Sequence, residues 1–350
     1  MKVGVIGAEK GLHETRFLRA FLERRIEAVF ISFDELSQAA CGDHRLKDWS
    51  EIDFFFGGPL HQGLRIAPSL EKVPFVAASY AFDMLYEAAR DPNAAAGVRR
   101  LLGLCRGLLV DCEAVAKTAA ETFGFSGPTL VRAWGRERTA TSTAVSGTTE
   151  PAGGNVPPSG PWIISVRNFT EIHGVMDVVR AFGYAAEKDP RLRLILAGDG
   201  PLKPKICAMI DDLRLSDRVK LLGRVPESEM VRLIRQADVY VSAALTDGTS
   251  ISLLQALEAG VPVLLSNVGG NPEWVGRVDG AFLFEVGNWR QLGELMLAKT
   301  NRGATMRFDR SAVLARYADW KHNADDIIAF CLQVVGASSV SNRTGKEESR

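Results

Sequence analysis

A short polar loop that precedes a helical pattern is the clearest candidate for chemistry in this sequence. The loop consists of Asp247, Gly248, Thr249 and Ser250. It follows the β-branched run 239–242, and an apolar repeat at helical spacing begins at Ile251. The start of a helix presents free N–H groups and the positive end of its dipole, which together attract phosphate. The sequence therefore predicts a phosphate-binding loop, in which Asp247 either caps the helix or contacts the substrate.

Arg167 is the second candidate, because it directly follows the predicted strand 162–166. An arginine just beyond a strand end can hold two phosphate oxygens in its planar fork. A loop arginine in an ordinary salt bridge is the alternative, but the loop at 247–250 in the same half of the chain favours the phosphate role. His173 lies six residues further on and is a weaker candidate, since a neutral imidazole has a single donor.

Alternating strand and helix patterns position these residues. Twelve short apolar runs are predicted as strands: 3–6, 28–32, 52–56, 75–78, 107–110, 129–132, 162–166, 192–197, 219–222, 239–242, 263–266 and 281–284. Helical patterns separate most of them, which is typical of parallel sheets with helices on both faces. The sequence therefore predicts an α/β fold.

The division into domains follows from a change of composition at 139–161, which is rich in Thr, Ser, Gly and Pro and is predicted to be a flexible linker. It separates a first Rossmann-like domain, 1–138, from a second, 162–315. We expect a terminal helix over 316–335 and a disordered tail over 336–350. Two such domains are expected to face a central cleft at the carboxyl ends of their sheets.

Overall composition excludes several classes of protein. The 350 residues carry 42 basic and 42 acidic side chains, so that no basic field favours nucleic acid as a partner. The five cysteines are odd in number and form no Cys-x-x-Cys pair, which favours a reducing cytoplasm over a disulfide framework. No run approaches the ~20 apolar residues that would span a bilayer. We therefore expect a soluble, cytoplasmic protein.

The segment 245–275 resembles the nucleotide-sugar segment of glycosyltransferase family 4, the retaining enzymes of the GT-B fold. In that family an acidic residue opens the loop, Gly follows, a Glu comes eight positions after the first acid, and the helix ends in Gly-x-Pro-Val. Asp247, Gly248 and the run 260–263 match this pattern. Gln255 departs from it, because it occupies the position of the second carboxylate.

The resemblance implies roles for individual residues. Asp247, Arg167 and His61 would be catalytic: Asp247 near the transferred sugar, Arg167 on the leaving phosphate, and His61 beside the sugar. Substrate-binding residues would be Gly7, Gly11, His13, Asp83, His173, Val225, Gly248, Thr249, Ser250 and Gln255. Gln255 would face the ribose, and His173 stands where the family has a lysine. Asp83 is alternatively a helix cap, and a lone loop histidine such as His61 is as often incidental.

The resemblance also implies a terminal helix that crosses back to the first domain, and a departing diphosphate stabilised by Arg167 and backbone N–H groups. The acidic pairs 211–212 and 325–326 fall in predicted helices and are expected to be solvated, so no metal and no cofactor is predicted.

We therefore interpret the sequence as a metal-independent, retaining glycosyltransferase of polysaccharide or glycoconjugate biosynthesis. It would transfer a sugar from a nucleoside-diphosphate sugar to a glycan, lipid-linked or small-molecule acceptor. Peripheral membrane contact remains open. One alternative is a nucleotide-sugar-binding protein with little or no transferase activity. Another is a sugar-nucleotide epimerase; a dehydrogenase is disfavoured because no Gly-x-Gly-x-x-Gly follows the first strand.

Overall fold

The chain forms two α/β units. The structure, a computed structural model, describes residues 1–40, 49–137, 160–300 and 307–344. One unit comprises Met1–Gly135 together with the chain from Trp320, and the other comprises Arg136–Asp319. Each contains one sheet of six parallel strands. The predicted α/β fold with two parallel-sheet domains is thereby confirmed.

The sheet of the first unit has the strand order β2-β1-β3-β4-β5-β6. Its strands are β1 (Lys2–Gly7), β2 (Glu27–Ser32), β3 (Phe54–Gly57), β4 (Phe75–Ala78), β5 (Gly107–Val110) and β6 (Thr129–Val131). Its first helices are α1 (Leu12–Glu23), α2 (Phe33–Ala40), α3 (Gly63–Leu70), α4 (Ala88–Arg90), α5 (Pro92–Leu104) and α6 (Glu113–Glu121). From β1 the chain first adds β2 on one side and then adds β3 and the later strands on the other side. The loops after β1 and β3 therefore lie at the switch point of the sheet.

The strands of this sheet are apolar on both sides because helices cover both faces. Phe55 on β3 packs in one core with residues of α3 and α5. Its neighbours Phe54 and Phe56 point the other way and pack with Phe17 and Phe21 of α1. All five phenylalanines are at most 2% exposed. The run 54–56 is apolar on both faces. It is therefore suited to a central strand that is covered by helices on both sides.

The sheet of the second unit has the order β12-β11-β10-β7-β8-β9. Its strands are β7 (Trp162–Val166), β8 (Arg193–Ala197), β9 (Val219–Gly223), β10 (Val239–Ser242), β11 (Val263–Ser266) and β12 (Ala281–Phe284). Its helices are α7 (Val175–Lys188), α8 (Lys203–Asp212), α9 (Glu227–Gln236), α10 (Ile251–Glu258), α11 (Asn271–Val275), α12 (Trp289–Thr300) and α13 (Ser311–Tyr317). The switch point of this sheet lies between β7 and β10, where doubly wound folds bind ligands.

The chain ends in α14 (Trp320–Thr344), which belongs to the first unit. Trp320, Ile327 and Ile328 pack there in the same core as Phe17 of α1. The return of the terminal helix to the first domain, expected from the resemblance, is therefore present. Within the part of the chain that the structure describes, no helix is both long and apolar enough to cross a membrane.

All twelve predicted strands occur, with small shifts at their ends. The domain limits differ from those proposed: the units divide at 135/136 and 319/320, and α14 continues to Thr344 where a disordered tail was expected from 336. The predicted linker 139–161 lies outside the described residues except for 160 and 161, which directly precede β7. Positions 345–350 of the predicted tail also lie outside them.

Candidate functional site

Arg167 leaves the carboxyl end of β7 and turns its guanidinium toward β10. Its Nε donates a hydrogen bond to Ser242 Oγ at 2.9 Å, and its Nη2 forms an ion pair with Asp247 Oδ2. The two side chains are only 8% and 12% exposed. The structure therefore brings together the two residues that the sequence nominated as catalytic in this half, at the switch point between β7 and β10.

Burial sets the electrostatics of this pair. It acts to lower the pKa of Arg167, but the carboxylate of Asp247 and, after it, Tyr240 more than offset this effect, so that the pKa is raised and the guanidinium stays charged. Burial raises the pKa of Asp247, and Arg167 acts in the opposite direction. Removing one member of a buried pair leaves an uncompensated charge, at a cost of about 3–5 kcal/mol. A ligand that binds to one member of the pair must therefore supply charge or hydrogen bonds that compensate the other member.

The interpretation of Asp247 as a helix cap is wrong. Ser250 is the N-cap of α10, and its Oγ accepts a hydrogen bond from the backbone N–H of Leu253 at 3.3 Å. Asp247 lies three residues earlier, and its carboxylate forms an ion pair with Arg167 instead. Because Ser250 caps the helix, Asp247 is available for other chemistry.

The loop before α10 is held in place by α11. Trp274 Nε1 donates to Thr249 Oγ1 at 3.0 Å, and the N–H of Gly270 donates to the carbonyl of Asp247 at 3.2 Å. Gly248 and Thr249 are buried, Thr249 being 5% exposed. The hydroxyl of Thr249 therefore serves as an internal anchor, and the predicted role of this residue in substrate binding falls to its backbone N–H. Trp274 was missed by the sequence reasoning, because its partner is 25 positions away and no local pattern indicates the pair.

His173 ends a short 3₁₀ turn, Glu171–His173, that lies near Arg167. Its Nδ1 is 2.7 Å from Thr170 Oγ1. Burial, with the charge of Arg167 nearby, lowers the pKa of His173 to about 4, so the imidazole is neutral at pH 7. The turn approaches β10 closely, since a Cβ on Gly174, at φ +60°, would meet the carbonyl oxygen of Ala243 at 1.9 Å.

Gln255 is buried rather than open to solvent, at 3% exposure. Its Nε2 donates to Glu227 Oε1 at 3.2 Å, across the junction between α10 and the first residue of α9. Glu258 forms an ion pair with Arg136. Val225, predicted to bind substrate, is partly buried in the segment just before α9. Glu227 was not nominated from the sequence, because only the packing of α9 against α10 brings it to Gln255.

In the first unit, Glu14 organises the loop after β1. Its Oε2 accepts from the N–H of Gly11 at 3.1 Å, and its Oε1 accepts from Tyr80 Oη at 2.8 Å. A Cβ at Gly7 would lie 3.0 Å from Glu14 Cγ, so this glycine permits the close approach. His13 stacks on Tyr80 with ring centroids 5.6 Å apart. Burial, and to a lesser extent Arg16, lowers the pKa of His13 to about 4.

Asp83 is fully buried and supports the loop after β3. Its carboxylate accepts from the N–H of Leu60 at 2.8 Å and from Ser79 Oγ at 2.6 Å, and burial raises its pKa. Its side chain faces the interior, where the carboxylate accepts the first N–H of the short turn Leu60–Gln62, and its contact with substrate stays a prediction. His61 lies in that turn, partly exposed, with its ring edge-on to Phe82 at 5.5 Å. Asp83 thus positions the loop that carries His61.

Each unit thus gathers part of the predicted set. Arg167, His173 and Asp247 meet beside the start of α10, whereas Gly7, Gly11 and His13 share one loop of the first unit. Among the described residues, no group of three or more His, Cys, Asp or Glu side chains could hold a metal ion. The roles assigned to all these residues in binding and catalysis stay predictions.

Comparison with known proteins shows the fold and a partial sequence match to one family. The Thermosynechococcus elongatus sucrose-phosphate synthase superposes with a TM-score of 0.80 over 96% of this chain and 100% of its own, at 13% identity. Anabaena Alr3699/HepE in complex with UDP and glucose gives a TM-score of 0.70 at 14% identity, over 94% and 98% of the two chains. The fold is that of the GT-B glycosyltransferases.

The sequence match lies in the second unit. Residues 148–305 match the family described as glycosyl transferases group 1. N-acetyl-alpha-D-glucosaminyl L-malate synthase of Bacillus anthracis is 33% identical over 127 residues, 36% of this chain and 32% of the relative. The GPI3 subunit of the Saccharomyces cerevisiae phosphatidylinositol N-acetylglucosaminyltransferase is 37% identical over 82 residues, 23% and 18% of the two chains. The matched stretches thus span about a third or less of these relatives. The resemblance to GT-B glycosyltransferases of group 1 is confirmed at this level.

Proposed function

We propose that the protein is a retaining, metal-independent glycosyltransferase of family 4 that uses a nucleoside-diphosphate sugar as donor. One observation carries the proposal: a buried arginine, Arg167, lies beside the carboxylate of Asp247 and the start of α10, at the switch point of the sheet. A charged guanidinium and a helix N-terminus together suit a diphosphate. The Anabaena structural neighbour, crystallised with UDP and glucose, supports the same ligand class.

The chemistry follows from where charge develops. As the bond from the sugar carbon to the diphosphate oxygen breaks, its electron pair stays on that oxygen. Arg167 and the N–H groups of 248–250 stabilise the resulting charge, which preorganised donors do without reorientation. The acceptor hydroxyl attacks the same face of the sugar, and its proton leaves with the diphosphate. The diphosphate replaces Asp247 as the partner of Arg167, so that Asp247 becomes free to accept from a sugar hydroxyl.

His173 contributes as a neutral donor. At pH 7 its lowered pKa leaves one ring nitrogen protonated. The tautomer depends on the direction of the 2.7 Å hydrogen bond between Nδ1 and Thr170 Oγ1: if Thr170 donates, the ring proton is on Nε2. A lysine at this place would add positive charge beside Arg167, whereas this imidazole adds a hydrogen bond alone.

The remaining parts of the proposal rest on the sequence. The acceptor is a carbohydrate-type molecule on the first unit, near the loops that carry His13 and His61. Neither cofactor nor nucleic acid takes part, and the protein works in a reducing cytoplasm, as the cysteine pattern suggests. A second function, nucleotide-sugar binding without transfer, is favoured by one observation: an amide, Gln255, stands where the family has a carboxylate.

Release of nucleoside diphosphate from UDP-, GDP- and ADP-sugars, with and without sugar acceptors, tests the proposal. We expect turnover with at least one donor, and a loss of about 100-fold or more in Arg167→Ala. Arg180→Ala, which removes a surface arginine of α7, is the control and should keep its activity. Donor binding without any turnover would favour the second function. Absence of both would refute the first and the second alike.

A further inference from the structure

A fully buried tyrosine of β10 lies next to the proposed donor site. Tyr240 is the second residue of this strand and is 0% exposed. Side chains two positions apart on a strand point to the same face of the sheet, so Tyr240 and Ser242 share a face. Ser242 Oγ accepts the hydrogen bond from Arg167 Nε at 2.9 Å. The phenol therefore lies on the face of β10 whose serine hydroxyl holds the guanidinium.

The hydroxyl of Tyr240 reaches the first turn of α10. Its Oη is 2.8 Å from Ser252 Oγ. Ser252 is the second helical residue after the N-cap Ser250, and it is 9% exposed. A buried hydroxyl without a hydrogen bond would be costly, and this contact gives both hydroxyls a partner. The phenol thus connects the middle of the sheet to the helix end that is proposed to bind the diphosphate.

Tyr240 is also a partner of Arg167. Burial and the carboxylate of Asp247 have the largest effects on the pKa of Arg167, and a hydrogen bond with the phenol of Tyr240 adds to the effect of Asp247. Burial raises the pKa of Tyr240, and Arg167 acts in the opposite direction. A guanidinium only donates hydrogen bonds, so the phenol oxygen accepts from Arg167. The phenol proton then remains for a serine hydroxyl of α10.

We propose that Tyr240 is a positioning residue of the donor site, which joins the guanidinium of Arg167 to the first turn of α10 and fixes these two anion-binding groups relative to each other. This inference rests on the proposed function. In that function the diphosphate displaces Asp247 from Arg167, so Ser242 and Tyr240 become the protein acceptors that keep the planar guanidinium in its orientation. The donors therefore stay preorganised while the ligand binds and while charge develops.

An ordinary role in the core is the alternative for Tyr240, since aromatic side chains fill cores and a buried tyrosine usually finds a partner for its hydroxyl. A phenylalanine would fill the same space in β10 without a hydroxyl beside the site. Removing the hydroxyl alone distinguishes the two roles. A core role predicts a change in stability only, whereas a positioning role predicts a more mobile guanidinium and weaker diphosphate binding.

Tyr240→Phe removes the hydroxyl and keeps the ring. The Nε–H resonance of Arg167, assigned by its loss in Arg167→Ala, reports on the guanidinium without nucleotide. We expect this proton to exchange with water at least about fivefold faster in Tyr240→Phe, as for loss of a hydrogen bond at a charged group. Backbone amides of β7 provide the reference for general destabilisation. Tyr184→Phe removes a hydroxyl bonded to Glu294 and is the matched control, in which the resonance should be unchanged.

Calorimetry measures the effect on binding. UDP, GDP and ADP are titrated into the wild type, Tyr240→Phe, Tyr184→Phe, Ser252→Ala and the double variant of Tyr240 and Ser252. We expect the preferred diphosphate to bind about tenfold more weakly to Tyr240→Phe, about threefold more weakly to Ser252→Ala, and equally well to Tyr184→Phe. The double variant should match Tyr240→Phe within about twofold, because both substitutions interrupt the same link. Alanine favours the helix, so Ser252→Ala keeps α10 intact.

Each outcome has one meaning. Wild-type exchange at Arg167 or wild-type diphosphate affinity in Tyr240→Phe would overturn this inference and leave the proposed function standing. Additive losses in the double variant would also overturn it, since the phenol and Ser252 would then act separately. A wild type that binds no diphosphate would overturn the proposed function, and the role of Tyr240 with it.

Discussion

Arg167 and Asp247 form a buried ion pair with each other. Their side chains are almost entirely buried, and Ser242 Oγ accepts a hydrogen bond from Arg167 Nε. In the proposed reaction a diphosphate takes over the guanidinium, which means that Asp247 competes with the ligand before it acts on the sugar. We therefore expect the two residues to have separable effects on binding and on turnover.

Asp247→Asn tests this competition. We expect nucleoside diphosphate binding to stay within about threefold of the wild type or to tighten, since a neutral amide competes less well for Arg167. Turnover should fall about 100-fold or more, because the carboxylate that accepts from the sugar is gone. Calorimetry and diphosphate release measure the two quantities, with Asp177→Asn on the surface of α7 as control. Equal losses of binding and turnover would argue against competition.

His173 should respond to pH in a defined direction. Its pKa in the folded protein is about 4, below the ordinary value of 6.5, so the folded state takes up fewer protons. Its contribution to stability is therefore complete above pH 6.5 and is lost as the pH falls toward 4. At about pH 5 we expect His173→Gln to recover about 1–2 kcal/mol of the lost unfolding free energy. NMR titration of the ring should give a midpoint near 4; a midpoint near 6.5 would contradict this account.

At the scale of elements, the loop 246–250 is held in place by α11, a helix that comes later in the chain. Trp274 of α11 donates to Thr249, and Gly270 donates to the carbonyl of Asp247. The start of α10 is therefore positioned by contacts from β10 on one side and from α11 on the other. The loop proposed to bind the donor is thus anchored by hydrogen bonds within the protein.

Thr249→Val measures the strength of this anchor. The substitution keeps the shape but leaves the indole N–H of Trp274 without its hydroxyl acceptor, at an expected cost of about 1–3 kcal/mol in unfolding free energy. The KM for the donor should rise, while the acceptor KM stays unchanged. Thr118→Val, which removes a hydroxyl bonded within α6, is the control and should leave the donor KM unchanged. An unaltered donor KM in Thr249→Val would show that the anchor is dispensable.

The elements themselves were largely predictable. The strands are short β-branched or aromatic runs that no helical period fits, and all twelve were found from the sequence. Three helices of the first unit were missed. Pro68 inside α3 argues against a helix by local rules, but the packed core overrides that cost. For α5 a signal existed, since Asp91 caps the helix by accepting from Asn93 at 2.9 Å, just before Pro92.

The site was predictable only in part. Arg167, Asp247 and Ser250 stand at strand ends or a helix start, where local patterns mark them. Glu227 and Trp274 reach the site through packing between elements distant in sequence, which a single chain does not encode locally. Asp83 and Thr249 were placed on the right loops, but burial turned their side chains inward.

At the scale of the whole molecule, the first unit is completed by the end of the chain. Trp320 of α14 is 6% exposed; Arg16 lies 4.1 Å from its ring centroid and Phe17 packs edge-on to it at 5.6 Å. The last helix therefore closes a core that the first 135 residues leave open.

Trp320→Ala should destabilise the first unit by about 3–5 kcal/mol, the usual cost of removing a buried tryptophan. Hydrogen exchange, read separately for the two sheets, should show faster exchange in β1 and β3 and little change in β7 and β10. Trp289→Ala on α12 is the matched control, with the reverse pattern expected. Uniform change in both sheets would mean that the units do not unfold independently.

The central claim is that the carboxyl edge of the second sheet binds a nucleoside diphosphate through Arg167. Calorimetric titration of UDP, GDP and ADP into the wild type, Arg167→Ala and Arg180→Ala tests it most directly. We predict measurable binding of at least one nucleotide, unchanged in Arg180→Ala and weakened about 30-fold or more in Arg167→Ala. Equal affinity in the wild type and Arg167→Ala would contradict it.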